Sequence, residues 1–394
     1  MERHEAVMKI APRSSAVLVC ASLLGLAGAA SAFHRETPPV TALTTSGDTD
    51  LPRIPSQGRR LLALETGSSI MAVLPFKTEA APTPVADSGR DPAVAFNGRT
   101  VAFETNDDPL ASGRPGWQIV LSREGELLEA VADPSGTSAK PSLDKRGTTL
   151  VFESAGDLTN LGTPGINRVY VRFKDGSLAT VSSGLGTSGN AMLASTGDLV
   201  VFESTSDPET GADTGISQIW AGRITNLPAA PITDGLGPST GPIVSDDGRL
   251  VVFVSQAALA SSDGADTGVP QVFLYDTKSR TYAQVTNEPG GCTRPGVAKV
   301  RKDWRVTFVC DGQAYYHMLR QNVRYHVSTP DGSTQAIIPE MGVHFLLVST
   351  TADLVSGSGT TAGHQIYLLN LFAQSIPTVP GSVTWFPTQG IPGL

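Results

Sequence analysis

Charged residues make up only 17% of the 394 positions and aromatic residues only 6%. A chain this poor in charge fits neither a disordered segment nor a helical one rich in Lys and Glu. Beyond the first 32 residues there is no basic run and no further apolar run of spanning length. Nucleic acid is therefore not an expected partner, and the body of the chain offers no transmembrane segment. Histidines are few and none sits at HExxH spacing, so no metalloprotease motif is present. What is abundant is 41 Gly and 28 Pro beside 40% apolar residues, the composition of a turn-dense β protein.

The N-terminus reads as a secretory signal peptide. Lys9 and Arg13 precede an uncharged run from Ser14 to Phe33 that ends in the small residues Ala30-Ser31-Ala32, which places cleavage after Ala32. The strongly apolar part is about 10 to 12 residues, short of the roughly 20 a membrane anchor needs. Cys20 follows Val19 rather than a small residue, so lipidation is not expected, and Met8 is an alternative start. Removing residues 1–32 takes away three of 29 basic and two of 37 acidic residues, leaving 26 against 35 and a formal charge of −9. A periplasmic or secreted protein is expected, a monomer with a surface that repels nucleic acid. Such a compartment permits disulfides. Cys292 and Cys310 fall near facing positions at the open end of one hairpin and are expected to pair.

The fold is carried by a repeat. NGRTVAFET (Asn97 to Thr105) returns as RGTTLVFES from Arg146, TGDLVVFES from Thr196, DGRLVVFVS from Asp247, KDWRVTFVC from Lys302 and MGVHFLLVS from Met341. The turn position is Gly98, Gly147, Gly197, Gly248, Asp303 and Gly342, and five residues later stands Phe103, Phe152, Phe202, Phe253, Phe308 and Leu347. A proline often lies six residues before the turn (Pro92, Pro141, Pro242), and a polar loop leads to a second strong strand such as NRVYVRF, SQIWAGR or PQVFLYD. A weaker fourth strand closes each unit. Four strands per roughly 50 residues is the arithmetic of a propeller blade. A single blade cannot bury both faces, whereas a closed ring of blades buries all of them.

The expected architecture is therefore an all-β propeller of six four-stranded blades over residues 91–374, with seven as the alternative. The last unit lacks a clear fourth strand, so SIMAVLPF (Ser69 to Phe76) is expected to close the ring from the N-terminal side. Pro52 to Thr66 imitates a repeat start, with Pro52 six residues before Gly58, so residues 52–90 are either closing strands or a degenerate blade. Residues 33–51 read as a flexible lead-in, and 375–394 as a Pro/Gly-rich tail with no clear strand beyond SVTWF.

Asp246-Asp247-Gly248-Arg249 with Val251-Val252-Phe253, and Phe152-Glu153-Ser154 with Asp157-Leu158, resemble the WD40-like (PD40) repeats of TolB-like six-bladed propellers. The resemblance covers about residues 90–372. It implies an exported ring that docks other proteins or cell-envelope components. The fifth unit departs from the pattern, since Asp303 replaces the turn glycine.

The search for chemistry yields one serine motif, Gly237-Pro238-Ser239-Thr240-Gly241. A nucleophile elbow needs a helix behind it, yet a hairpin follows Ser239, and Gly136-Thr137-Ser138 and Gly186-Thr187-Ser188 occupy the same offset. Catalysis is not expected. The alternative is a metal-dependent lyase acting on an acidic polysaccharide at the channel mouth, for which His317, His326, His344 and His364 would have to converge. The candidate binding residues are acidic: Asp108, Asp157, Asp207, Asp213, Asp263 and Asp266 in loops that emerge on one face, with Glu104, Glu153 and Glu203 at the ends of equivalent strands. An Asp recurring five residues beyond the Phe can simply cap its own turn. Otherwise these residues form an acidic collar for a basic partner or for weakly held calcium. No cofactor is expected, and no EF-hand spacing supports a tight calcium site.

Overall fold

The computed structural model describes residues 40–43, 49–50, 62–73, 83–111, 113, 116–131, 138–259, 266–300, 302–327, 334–338, 345–355, 360–370 and 385–388. The expected leader and Asp263 lie outside the described residues. Every regular element among the described residues is a β-strand. The strands form seven antiparallel sheets. Sheet 1 contains Thr49–Asp50, Leu62–Thr66, Ser69–Val73 and Thr83–Ala86, and sheet 2 contains Arg90–Val94, Thr100–Thr105, Gln118–Arg123 and Glu126–Val131. Sheet 3 is Ser138–Leu143, Leu150–Ser154, Arg168–Arg172 and Leu178–Thr180, and sheet 4 is Ser188–Leu193, Leu199–Ser206, Asp213–Arg223 and Asn226–Pro231. Sheet 5 is Ser239–Val244, Leu250–Ala257, Asp266–Asp276 and Thr281–Gln284. Sheet 6 takes Cys292–Val300, Asp303–Cys310, Gln313–Met318 and Val323–Val327, with Trp385–Thr388 as a fifth strand. Sheet 7 takes Thr334–Ile338, Phe345–Ala352 and Thr360–Asn370.

Each sheet is a meander whose first strand lies against the first strand of the next from sheet 2 to sheet 7, while Thr49–Asp50 of sheet 1 lies against the third strand of sheet 7. Sheets stacked face to face around a ring in this way are the blades of a β-propeller.

On the N-terminal side the alternative count is the one found, and the expected closing strand is corrected. The described strands assemble into seven sheets rather than six, because Ser69–Val73 does not close the last one. It pairs instead with Leu62–Thr66 across a turn at Gly67, whose φ is 63°. A partner two residues away is reached at far lower entropic cost than one some three hundred residues distant. The strand that completes sheet 7 comes from the expected lead-in: Val40, Thr41 and Ala42 pair with Leu369, Leu368 and Tyr367.

The repeat phenylalanines are the blade core. Phe103, Phe152, Phe202, Phe253 and Phe308 are each at most 1% exposed. Phe152 stands opposite Tyr170, Phe202 opposite Trp220 and Phe253 opposite Phe273, with ring centroids 5.8, 6.3 and 6.1 Å apart. These stacked cross-strand pairs account for the aromatic that recurs in the third strand; each adds about 0.5–1.5 kcal/mol beyond its buried area. The turn glycine is demanded by its backbone. Gly147 has φ of 67°, and a Cβ there would come within 2.5 Å of Thr100 in the preceding blade.

The prolines mark a β-bulge. Register shifts between Arg90 and Ala93, Ala139 and Ser142, and Thr240 and Ile243 leave two residues opposite one. The second residue of each bulge is Pro92, Pro141 or Pro242, placed where no ladder N–H is required. The first is left-handed, with φ of 45° at Asp91, 49° at Lys140, 52° at Asn190, 62° at Gly241 and 54° at Arg294.

Cys292 and Cys310 are register partners joined by a disulfide spanning 18 residues. At the same place in sheets 4 and 5, Ser188 donates to Ser204 and Ser239 to Ser255, each at 2.9 Å between hydroxyl oxygens. The disulfide thus replaces a serine pair. Closing a loop of this length is worth about 3 kcal/mol and a buried hydroxyl pair about 1 kcal/mol. The double variant Cys292→Ser/Cys310→Ser is expected to fold and to lose about 2 kcal/mol in urea unfolding. A variant unable to fold at all would contradict the equivalence.

Candidate functional site

The meander gives the ring two distinct ends. The linker entering each blade and the loop between its second and third strands emerge at one end, called here the linker end. The two tight turns of each blade emerge at the other. The predicted acidic residues that are described belong to the linker end, but they divide into two kinds.

The strand-end glutamates are withdrawn from solvent, which corrects their expected place in a surface collar. Glu104 and Glu153 are 0% and 4% exposed, and Glu203 is half-buried. They serve as latches between blades. The left-handed bulge residue has an N–H without a ladder partner, and the carboxylate of the preceding blade accepts it. Glu65 accepts the Asp91 N–H at 3.0 Å, Glu104 the Lys140 N–H at 2.5 Å and Glu203 the Gly241 N–H at 2.7 Å. Glu203 also accepts from the Asn190 side-chain amide at 2.7 Å. Glu153 accepts from the Asn167 amide at 3.2 Å and lies against Gly189, where a Cβ would meet its Oε2 at 2.9 Å. Burial pushes the Glu104 carboxyl up to about 7, against the pull of the Lys140 N–H and of Arg90, whose Nε lies 2.7 Å away.

The aspartates stay at the surface and each holds its own loop. Asp108 accepts the Gly113 N–H at 2.6 Å. Asp157 accepts the N–H groups of Leu161 and Gly162 at 2.6 and 2.5 Å. Asp207 accepts those of Thr210 and Glu209 at 2.7 and 2.9 Å. Asp213 accepts from the Thr205 hydroxyl at 2.5 Å and Asp266 from the Gly268 N–H at 2.8 Å. These donors hold Asp157, Asp207 and Asp213 below the usual carboxylate range, led by the Leu161 N–H, the Thr210 N–H and the Thr205 hydroxyl respectively. Turn-capping and a fixed surface charge therefore coexist in the same residues.

Sequence reading missed the apolar component of this end. Leu161 is 51% exposed, Leu185 58%, Ile216 38%, Leu236 66% and Val355 57%. Leu161, Leu185, Leu236 and Val355 belong to linkers or to loops between second and third strands, Ile216 lies near the start of the strand Asp213–Arg223 that leaves such a loop, and Leu128 on an outer strand is the sixth large apolar side chain exposed among the described residues. A repeated Gly-Leu-Gly in two consecutive linkers, around Leu185 and Leu236, was the available signal: an apolar residue between glycines has no strand to bury it.

Ser239 is fully buried and bonded to Ser255, so it is no exposed nucleophile. His317 is buried in sheet 6 with neither ring nitrogen partnered among the described residues. His364 is half-buried in the third strand of sheet 7. His344 and the side chain of His326 lie outside the described residues. Among the described residues no group of three His, Cys, Asp or Glu side chains is gathered to hold a metal ion.

No protein-family model and no curated protein matches the chain. Among solved structures, a prolyl endopeptidase superposes with a TM-score of 0.53 at 11% identity, covering 96% of this chain and 56% of that one. The β-propeller domain of the Trilobed protease from Pyrococcus furiosus superposes with a TM-score of 0.50 at 8% identity, covering 78% of this chain and 90% of that one. A putative TolB from Agrobacterium tumefaciens aligns with a TM-score of 0.43 at 17% identity, covering 62% of this chain and 86% of that one. The first two likenesses show the fold, a β-propeller.

Proposed function

We propose that this protein is an exported, non-catalytic propeller scaffold that holds another protein on its linker end. The observation that carries the reading is the placement of Leu161, Leu185, Ile216, Leu236 and Val355, large exposed apolar side chains of the loops and of one strand start, at one end of the ring. Exposed apolar surface rimmed by polar residues is what a docking face requires and what an isolated protein otherwise avoids. The disulfide and the signal-like N-terminus support work outside the cytoplasm. The chemistry of the loops supports binding over catalysis, because their carboxylates are spent on local N–H groups.

Photo-crosslinking in cells that make the protein tests this. Probes replacing the exposed Asn160 and Asn287 at the linker end are expected to give protein adducts, and probes replacing Lys174 and Lys278 at the turn end are expected to give none. Absence of adducts at all four positions, or equal adducts at both ends, would refute the docking role.

A further inference from the structure

The linker end is not uniform. Over sheets 3 to 5 its described segments 155–167, 182–188, 205–217, 233–239, 256–259, 266–270 and 286–292 contain no Lys or Arg, yet they hold Asp157, Asp207, Glu209, Asp213, Asp234 and Asp266, together with Glu288, which is paired with Arg324 of sheet 6 at 2.8 Å. Arg168, the cation nearest this end in sheet 3, is buried and bonded to Thr163 and the Gly184 carbonyl. The exposed cations of the same blades, Lys145, Arg146, Lys174, Arg223, Arg249, Lys278 and Arg280, belong to the turn end. The ring is thus electrically polarised along its axis over these three blades.

The exposed leucines sit inside the acidic sector, and the segments bearing them are joined side by side. Arg168 ties the Leu161 loop to the first linker through Thr163 and Gly184. That linker meets the next loop where the Leu185 N–H donates to the Gly211 carbonyl at 2.6 Å. Gln218 then holds the second linker by donating to the Gly235 carbonyl at 2.8 Å. Gly237 of that linker lies against Asp266 and Ala257 of the following loop, within 3.0 Å of where its Cβ would stand. The result is one continuous arc in which Leu161, Leu185, Ile216 and Leu236 alternate with fixed carboxylates.

Resting on the docking reading above, we infer that this arc receives a cationic amphipathic segment of a partner protein, one that lays apolar side chains on the leucines and its Lys or Arg side chains on the surrounding carboxylates. Charge complementarity selects this occupant. An acidic segment or an anionic lipid surface would meet like charge, since Arg324 at the edge of the sector is already spent on Glu288, and a purely basic segment would leave the leucines in water.

The test is fluorescence anisotropy on the full protein with a Leu/Lys peptide of about 18 residues at helical spacing. Two control peptides have the same length, one with Leu replaced by Ser and one with Lys replaced by Glu. The Leu/Lys peptide is expected to bind at least about ten-fold more tightly than either control. Leu185→Ser/Leu236→Ser and Glu209→Gln/Asp234→Asn are each expected to weaken it at least about ten-fold, the second also flattening the salt dependence. These positions are exposed, so the melting temperature should hold. Equal binding of the Ser control would reduce the effect to bulk charge, and equal binding of the Glu control would reduce it to stickiness; either overturns the inference. Adducts at Asn160 and Asn287 together with peptide binding indifferent to both double variants would remove this inference and leave the docking role standing, whereas absence of adducts removes the docking role itself.

Discussion

Lowering the pH from about 7 to about 4 is expected to leave the stability difference between this protein and a variant lacking both His317 and Glu104 nearly unchanged, while each single variant drifts from it in an opposite direction. His317 is buried, and desolvation, helped by the Arg324 cation and resisted by Asp303, pushes its imidazole down from 6.5 to about 4. The unfolded chain then binds more protons between those values. Its contribution is full above about 6.5 and falls away toward about 4, by on the order of 3 kcal/mol. Glu104 has the reverse sign. Its carboxyl is raised from 4.5 to about 7, so the folded state holds the extra proton and stability rises as the pH falls through that window, by a similar amount. His317→Leu therefore gains relative to the wild type on acidification, and Glu104→Gln loses. The leucine sacrifices no hydrogen bond to the described residues, since neither imidazole nitrogen has a partner among them, and the glutamine keeps an oxygen for the Lys140 N–H. Urea midpoints across this pH range decide the matter, and parallel curves for wild type and both single variants would refute it.

Much of the architecture was legible because the repeat writes the same physical demand many times. The turn glycine, the phenylalanine five residues on and the third-strand aromatic each answer one requirement of a buried blade: a left-handed turn, a filled core and a stacked cross-strand partner. Sheets 2 to 5 follow that reading closely. The reading failed where demand was met by pairing instead of by composition. Val40–Ala42 and Thr49–Asp50 are short strands on which no periodicity can be seen, and they acquire their role from a sheet edge at the far end of the chain. A three-residue strand carries too little alternation to declare itself.

The site was half visible for a related reason. Recurrence of Asp108, Asp157 and Asp207 announced a common local job, and the structure assigns them the turn-capping one. Recurrence of Glu104, Glu153 and Glu203 announced an equally common job, but for Glu104 and Glu203 the partner is a backbone N–H 36 and 38 residues downstream. No side-chain type records that partner. The visible trace was the residue before each bulge proline, whose need for a left-handed backbone frees the N–H in question. Withdrawal of Glu104, Glu153 and, in part, Glu203 at the ends of β-strands is thus a property of blade assembly, and the docking face proposed above draws on the loops outside that machinery.

If the glutamate latch joins blades, Glu203→Val will cost on the order of 3 kcal/mol, although valine is the residue that the repeat places at the same position in sheets 5, 6 and 7 as Val254, Val309 and Val348. The cost comes from removing the acceptor of the Gly241 N–H and of the Asn190 amide at once; an abandoned buried donor loses about 1–3 kcal/mol, more than a satisfied bond contributes. Glu203→Gln separates acceptor from charge: its amide oxygen can still receive the Gly241 N–H, so its loss should stay near 1 kcal/mol. Gly241 gives an independent check on the same joint. A Cβ there meets nothing within 4 Å, so Gly241→Asn bears only the left-handed strain that Asn190 already sustains at the equivalent position, about 1 kcal/mol. The expected order of urea midpoints is wild type, then Glu203→Gln and Gly241→Asn together, then Glu203→Val well below. Equal midpoints for the valine and glutamine variants would show that the carboxylate fills space and joins nothing.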